Sequence, residues 1–521
     1  ISYCGIKHNI SFGAFQEKPI YASVVTSFLN ICSIDGYTLA KERQWTCVRC
    51  HQDESIVAAG DSAGRVLVWR NPFHKSKMGA QCIYHWHTLP CQDIALTPAG
   101  SIMYTGGGEH VLVKWNIENP NIRHYLPRLS AEIMHITVSA DNLLVAVSTL
   151  DNGIQIIESQ NKLRCVLQQL VWGVIPTADS KLFPAGLNFD RRTGGLVLNG
   201  RPGHLQFYSP QSEILLFNVD ITQRNILTQE RAKVITNTEV THCSLSSDGA
   251  WMASIETRNE SGTALELRLK IWQFIPSKQR FSLNTSVEKP HNGLAFTVQF
   301  KPGTDQLSSS EETNLEYMLV TTGGDKKFRI WTPSEIDSVH KKGIVWGCGS
   351  TGFYRDKDCG VASFSEDGSL LAVSFAETLT IWDIDNINIK TTLTRQHHKI
   401  NFVQFGREEC CHLVTTATDN ELSVWNLLNV TLLWHITIQT SILVSDPCSS
   451  YQAVFTKDCG VFIFTPLSPE PIYTHSKIDY KYVEILAAVF IPRGKELQCD
   501  INWLRRSQLY YINSNQVIYT S

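Results

Sequence analysis

Fifteen cysteines and 17 histidines give this chain enough thiol and imidazole side chains for metal chemistry, so their spacing comes first. The densest group is Cys47-Val-Arg-Cys50 followed by His51, with Cys82, His85, His87 and Cys91 further on. A C-x-x-C pair supplies two thiolates at the spacing of half a zinc site. The second group has no matching C-x-x-C or H-x3–5-H spacing. Cysteine is also an ordinary core residue in reduced proteins, so these side chains read as core, with no metal and no cofactor. Gly106–Gly108 could suggest a phosphate loop, but the Gly-Lys-Ser/Thr step and the helix that such a loop requires do not follow. It reads as a hairpin turn. No G-x-S-x-G elbow or H-E-x-x-H pair occurs. Nothing groups a nucleophile with a base, so no catalytic residue, no small-molecule substrate and no enzyme activity are expected.

Charge narrows the class further. The net charge of −3 leaves no global basic field to hold nucleic acid or an acidic membrane. Any phosphate contact has to be local, and the paired basic residues Arg191/Arg192, Lys326/Lys327, Lys341/Lys342 and Arg505/Arg506 are the candidates. Surface lysine and arginine also simply keep turns solvated. The polar stretch Gly303 to Asn314 reads as a long loop suited to docking or modification. Asn259-Glu-Ser261 would accept a glycan only in a secreted protein. The longest apolar runs, such as Leu170 to Ile175, fall well short of the roughly 20 residues that a membrane helix needs. An odd number of irregularly spaced cysteines favours reduced thiols. A soluble intracellular chain without membrane partners is expected.

The elements that would position these residues repeat at a spacing of about 40 to 60 residues. The clearest copies end in tryptophan: VLVW at Trp69, VLVKW at Trp115, LRLKIW at Trp272, FRIW at Trp331, LTIW at Trp382 and LSVW at Trp425. Before each lies a short apolar strand and a turn rich in Gly, Asp, Asn or Ser, which tolerates the dihedrals of a tight hairpin. Further upstream lies another alternating strand, as in LAFTVQF (Leu294 to Phe300) or INFVQF (Ile400 to Phe405). Weaker copies are IQII (Ile154 to Ile157), LQFY (Leu205 to Tyr208), VFIF (Val461 to Phe464), QVIY (Gln516 to Tyr519) and a first one near Leu29 to Cys32. Antiparallel hairpin units without intervening helices match the blades of a β-propeller.

Eleven such units exceed the usual ring of four to eight blades. Two rings are therefore expected in an all-β chain of tandem β-propellers. QQLVWGVIPTADSK, ending at Lys181, breaks the rhythm. The expected organisation is residues 1–168 as the last four blades of a first propeller, 169–181 as a linker, and 182–521 as a complete seven-bladed second propeller. The chain opens on Ile1 inside a repeat, so further blades are expected upstream.

The tryptophan strands resemble WD repeats, in which a His, a Ser or Thr, an Asp in the turn and the Trp share a hydrogen-bonded network. His291, Thr321, Asp325 and Trp331 fill those places, and Thr415, Asp419 and Trp425 repeat them, with His397 or His398 as the imidazole. In other units the turn position is Ala63, Glu109 or Ala376, and these are expected to rely on apolar packing. LNGRPGHLQFYSPQS (Leu198 to Ser212), SFSEDGSLLAVSF (Ser363 to Phe375), LPRL (Leu126 to Leu129), HWH (His85 to His87) and SVWNLL (Ser423 to Leu428) go further. They resemble the WD repeat-containing protein 75 family, from near Cys4 to the end. That resemblance implies a nucleolar scaffold of the small-subunit processome, acting in pre-rRNA processing and linked to RNA polymerase I transcription. It implies other WD-repeat and helical-repeat proteins, the small nucleolar ribonucleoprotein and pre-rRNA as partners. A tandem-propeller substrate receptor or a coat and trafficking scaffold is the alternative.

Overall fold

Alternating apolar residues in short runs, separated by Gly, Asp and Asn turns, fold here into antiparallel sheets. A computed structural model of the chain describes residues 9–15, 18–25, 28–31, 34–38, 44–70, 80–173, 181–224, 235–260, 264–303, 317–338, 341–394, 398–475, 483–493 and 502–520. These contain eleven sheets, numbered here 1 to 11 in chain order: 9–38, 45–85, 91–126, 133–168, 188–220, 239–288, 295–352, 359–394, 402–437, 440–475 and 485–520. Ten are four-stranded meanders, and the last has three strands among the described residues. The chain is all-β, built as tandem WD-type propellers. It divides into two compact units, Ile1–Asp179 with Asn225–Ile235, and Ser180–Arg224 with Thr236–Ser521. The first holds sheets 1 to 4 and the second sheets 5 to 11.

Each sheet is too thin to bury its own apolar face, so the faces of successive sheets fill one another's gaps. Sheet 2 gives Ile56, Val66 and Val68 to a core shared with Ile94, Met103 and Val113 of sheet 3. Sheet 3 turns Tyr104 and Leu112 to Ile133, Val145 and Val147 of sheet 4. The approach is close: a side chain at Gly106 would meet Ile133 Cγ2 at 2.6 Å, so glycine is required where the two sheets touch. In the second unit the first strand of sheet 5, Asn188–Asp190, lies against the first strand of sheet 11, Ile485–Pro492. That contact closes seven sheets into a ring.

Polar clamps between neighbouring sheets fix the ring. The Asn199 amide donates to Val240 O at 2.7 Å, and Ser244 Oγ accepts from Phe300 N at 3.2 Å. Thr297 Oγ1 accepts from Ala362 N at 3.3 Å, and the Ser507 hydroxyl donates to Asp446 at 2.5 Å. Tight Ser-x-Asp turns close the hairpins between first and second strands. Ser365 donates to Asp367 at 2.6 Å, and Ser246 to Asp248 at 2.5 Å. Because every sheet is an antiparallel meander and the first strands neighbour one another, these turns all emerge on one side of the ring. The turns between second and third strands emerge on the other side.

Candidate functional site

Two places in the fold could carry function: the polar networks that hold each blade rigid, and the loop faces that a rigid ring presents. In sheet 7 the network is complete. Trp331 Nε1 donates to Thr321 Oγ1 at 2.9 Å, Thr321 lies 2.8 Å from His291 Nε2, and His291 Nδ1 lies 2.8 Å from Asp325. Burial lowers the His291 imidazole below its ordinary range even though the Asp325 bond pulls it upward, so the ring is neutral near pH 7. A neutral ring has one donor and one acceptor. Protons are therefore passed in one direction: the indole donates to Thr321, Thr321 donates to Nε2, and Nδ1–H donates to the carboxylate. Arg329 Nη2 completes the charge balance on Asp325 at 3.1 Å.

The network in sheet 9 departs from expectation. Trp425 Nε1 donates to Thr416 at 3.2 Å, not to Thr415. The acceptor sits two residues beyond the tryptophan's cross-strand partner, because side chains on one face recur with a period of two. Trp331 pairs with Leu319 and reaches Thr321, and Trp425 pairs with Val414 and so reaches Thr416. The hairpin of sheet 9 is one residue shorter, which moves the acceptor from ten residues before the tryptophan to nine. Thr415 then falls where sheet 7 has the buried Val320, and its hydroxyl is buried without a partner among the described residues. Asp419 lies at the surface, accepting from Asn401 Nδ2 at 3.0 Å with Lys457 at 3.8 Å, and takes no part in the tryptophan's network. His398 is exposed, and His397 lies outside the described residues. Thr416→Val is expected to cost about 1–2 kcal/mol by orphaning the indole. Thr415→Val should be neutral or stabilising, and urea unfolding of the two variants checks the order.

One network was missed from the sequence. Sheet 3 was expected to rely on apolar packing because its turn carries Glu109 rather than Asp. Instead Trp115 donates to Thr105, Thr105 meets His87 Nε2, and His87 Nδ1 meets Glu109, each at 2.9 Å. Burial opposes charge on Glu109, yet the His87 bond and charge and the Leu89 N–H hold its carboxyl below the ordinary range. His87 is thus spent on the blade. His51 likewise accepts from the backbone N–H groups of Asp53 and Glu54 through Nδ1 and lies 3.0 Å from Thr97 O through Nε2. Cys47 and Cys91 are buried between sheets 2 and 3.

The basic candidates of the second unit separate by face. Arg191, Arg192, Arg505 and Arg506 all lie between the first and second strands of their sheets, on one side of the ring. Arg506 Nη1 lies 2.7 Å from Glu408 and 3.4 Å from Cys448 O. Burial raises the Cys448 thiol, and Asp446 adds to that, while Arg191 and Arg407 pull it back, which gathers three arginines around one turn. Arg192 has a different job: it pairs with Asp190 at 3.1 Å and lies 3.7 Å above the Phe274 ring, joining sheets 5 and 6. Lys326, paired with Asp356 at 3.2 Å, and the exposed Lys327 sit on the opposite side. Lys341 and Lys342 lie at the tip of the Lys327–Ser338 and Lys341–Gly352 hairpin. Residues 304–316 and Ser261 lie outside the described residues, and with them most of the polar loop and part of the glycan motif.

The sheets themselves can be matched to known proteins. The model of the WD repeat-containing protein 75 second beta-propeller matches residues 187–516, and that of the first beta-propeller matches residues 33–152. The chain belongs to the WD repeat-containing protein 75 family. The WD repeat-containing protein 75 of Homo sapiens is 34% identical over 527 residues, covering 97% of this chain and 61% of that protein. That of Danio rerio is 36% identical over 488 residues, covering 92% and 56%. The U3 small nucleolar RNA-associated protein 17 of Schizosaccharomyces pombe is 24% identical over 473 residues, covering 80% and 54%. The chain thus spans little more than half the length of these relatives. The first-propeller match of the WD repeat-containing protein 75 family overlaps sheets 2 and 3 and much of sheet 4, and the second spans sheets 5 to 10 and most of sheet 11.

Proposed function

We propose that this chain is a non-catalytic scaffold of ribosome biogenesis, a component of the small-subunit processome that acts in pre-rRNA processing toward 18S rRNA. The observation that carries this reading is its family membership, together with its similarity to a fission yeast protein named for association with U3 small nucleolar RNA. The fold supports it: rigid rings offer two loop faces and a rim, so several partners are held at fixed spacing without a catalytic centre. Residues 1–168 form part of a first propeller, joined through 169–181 to a second at 182–521. Other WD-repeat and helical-repeat proteins and the small nucleolar ribonucleoprotein take up the wide surfaces. Pre-rRNA is met locally, on the side of the second unit that carries Arg191, Arg505 and Arg506. The place of work is the nucleolus, with a link to RNA polymerase I transcription.

Ultraviolet crosslinking followed by RNA sequencing tests this. Pre-rRNA reads are expected, falling several-fold when Arg191, Arg505 and Arg506 are changed together to glutamate. Their yield should weaken with added salt, because phosphate contacts release counterions. Absence of pre-rRNA, with co-purification of membrane coats or ubiquitin ligase subunits instead, overturns the assignment.

A further inference from the structure

Phe353 is 63% exposed, more than any other aromatic side chain among the described residues. It does not stand alone, since Leu294 is 49% exposed and Phe296 36%. The fold brings all three to one side of sheet 7, where the turn between its second and third strands emerges. Gly324 N in that turn donates to Leu294 O at 2.8 Å. Phe328, just past the turn, pairs with Gly352, so the fourth strand ends there and delivers Phe353. Phe296 is the residue that a bulge leaves unpaired between Ala295 and Thr297, at the start of the first strand. Cations surround this apolar ground. Lys399, from the connection between sheets 8 and 9, holds its ammonium 5.0 Å from the Phe296 ring. Lys326 and Lys327 lead into the third strand, and Arg355 stands in the connection from sheet 7 to sheet 8. That connection folds back over the turns: Lys326 lies 3.2 Å from Asp356, and Lys357 meets Glu377 and donates to Thr378 Oγ1 at 2.9 Å in the corresponding turn of sheet 8. With Asp325 matched by Arg329, Lys327, Arg355 and Lys399 are left against the one carboxylate of Asp358. They have no ion pair among the described residues, on a chain whose net charge is −3.

We propose that this side of sheets 7 and 8 binds an extended acidic segment of a partner protein. One aromatic or large aliphatic side chain of that segment sits against Leu294, Phe296 and Phe353, and its carboxylates meet Lys327, Arg355 and Lys399. Exposed apolar side chains rimmed by charge mark a surface that a partner covers, and the sign of the rim selects an acidic one. A protein segment fits better than RNA. Two of the three cations are lysines, point charges that meet single carboxylates without the two-point geometry that arginine offers to phosphate. Leu294 has no ring face on which a base could stack, and the exposed Asp356 and Asp358 repel a phosphate chain. Arg191, Arg505 and Arg506 emerge on the opposite side of the same ring, so RNA there and a protein segment here do not compete. The inference stands whether or not those arginines meet pre-rRNA.

The probe is a fluorescein-labelled peptide of glutamate, aspartate and serine with a phenylalanine at its centre and a leucine nearby, titrated with the protein and followed by fluorescence anisotropy. Saturable binding is expected. Replacing the peptide's phenylalanine and leucine by serine should weaken it by roughly tenfold or more, the loss of a buried aromatic contact. Lys327→Glu with Lys399→Glu should weaken it by roughly tenfold, and Phe353→Ser by roughly fivefold. All three side chains are exposed, and thermal unfolding checks that the variants are folded. Arg505→Glu, on the opposite side of the ring, should leave peptide binding unchanged. No saturable binding, or binding indifferent to the lysines or to the peptide's apolar residues, overturns the proposal. So does a labelled oligouridine that displaces the peptide and loses affinity with Lys327→Glu and Lys399→Glu, because the occupant is then RNA.

Discussion

Asp325→Ala is expected to remove about 2–4 kcal/mol from the stability of the seven-sheet unit, the combined loss of a charge-assisted hydrogen bond and of an acceptor for a buried donor. His291 is fully buried on its side chain, and Asp325 is 9% exposed. With the carboxylate gone, His291 Nδ1–H points into a dry interior. Exchanging tautomers is no escape: Nε2–H would then donate to Thr321 beside the indole, leaving the Thr321 hydroxyl hydrogen without the acceptor it has and Nδ1 as an acceptor without a donor. The change therefore travels along the whole line from turn to tryptophan. Asp325→Asn keeps an acceptor oxygen in the turn and should cost only about a third as much, on the smaller value of neutral hydrogen bonds. Urea unfolding followed by tryptophan fluorescence measures both. Equal losses for Ala and Asn would mean that the aspartate acts through its charge on Arg329 rather than through the histidine. In the first unit, Glu109→Ala should act in the same direction through His87.

The sequence carried the architecture because the signal was repeated. A tryptophan that ends an apolar strand is legible in six units, and their common hairpin pattern makes the five irregular ones recognisable. The networks were harder, for two identifiable reasons. A motif written for aspartate hides Glu109, a carboxylate one methylene longer that stands in the corresponding turn and reaches the corresponding imidazole, His87. Thr415 stands ten residues before its tryptophan as Thr321 does, but the indole selects its acceptor across the strand pair, which gives Thr416. Counting two residues beyond the tryptophan's cross-strand partner also finds Ser254 for Trp272, at 3.0 Å and 18 residues away in sequence, where a long hairpin defeats any linear motif. In sheet 8 the same position is Val373, and Trp382 turns instead to Thr380 on its own strand at 2.8 Å. The basic pairs were less legible still. Nothing local shows that Arg192 will stack on Phe274 from the next sheet, or that Arg506 will meet Glu408, 98 residues away.

A second large effect lies in sheet 6, where two half-buried titratable groups are shifted in opposite directions. Burial pushes the Glu239 carboxyl from 4.5 up to about 7, against hydrogen bonds from the Gly203 and Val240 N–H groups. Burial pushes His242 from 6.5 down to about 4. Between pH 4.5 and 7 the folded chain keeps a proton on Glu239 that the unfolded chain has released, so this group's contribution is full below 4.5 and is lost as the pH rises. Between pH 4 and 6.5 the unfolded chain carries a proton on His242 that the folded chain lacks, so that contribution is lost as the pH falls. From 4.5 to 6.5 the two slopes cancel, and above that window only the penalty on Glu239 is left, at most about 3 kcal/mol. Glu239→Gln is therefore expected to match the parent near pH 4.5 and to be more stable at pH 8 by about 2–3 kcal/mol. Its stability should climb with pH through the range where the parent is level. Urea unfolding at half-unit pH steps measures both curves. Parallel profiles for variant and parent would mean that the carboxyl is ionised in the fold, so that water or a cation at the ring's surface, and not burial, governs this strand.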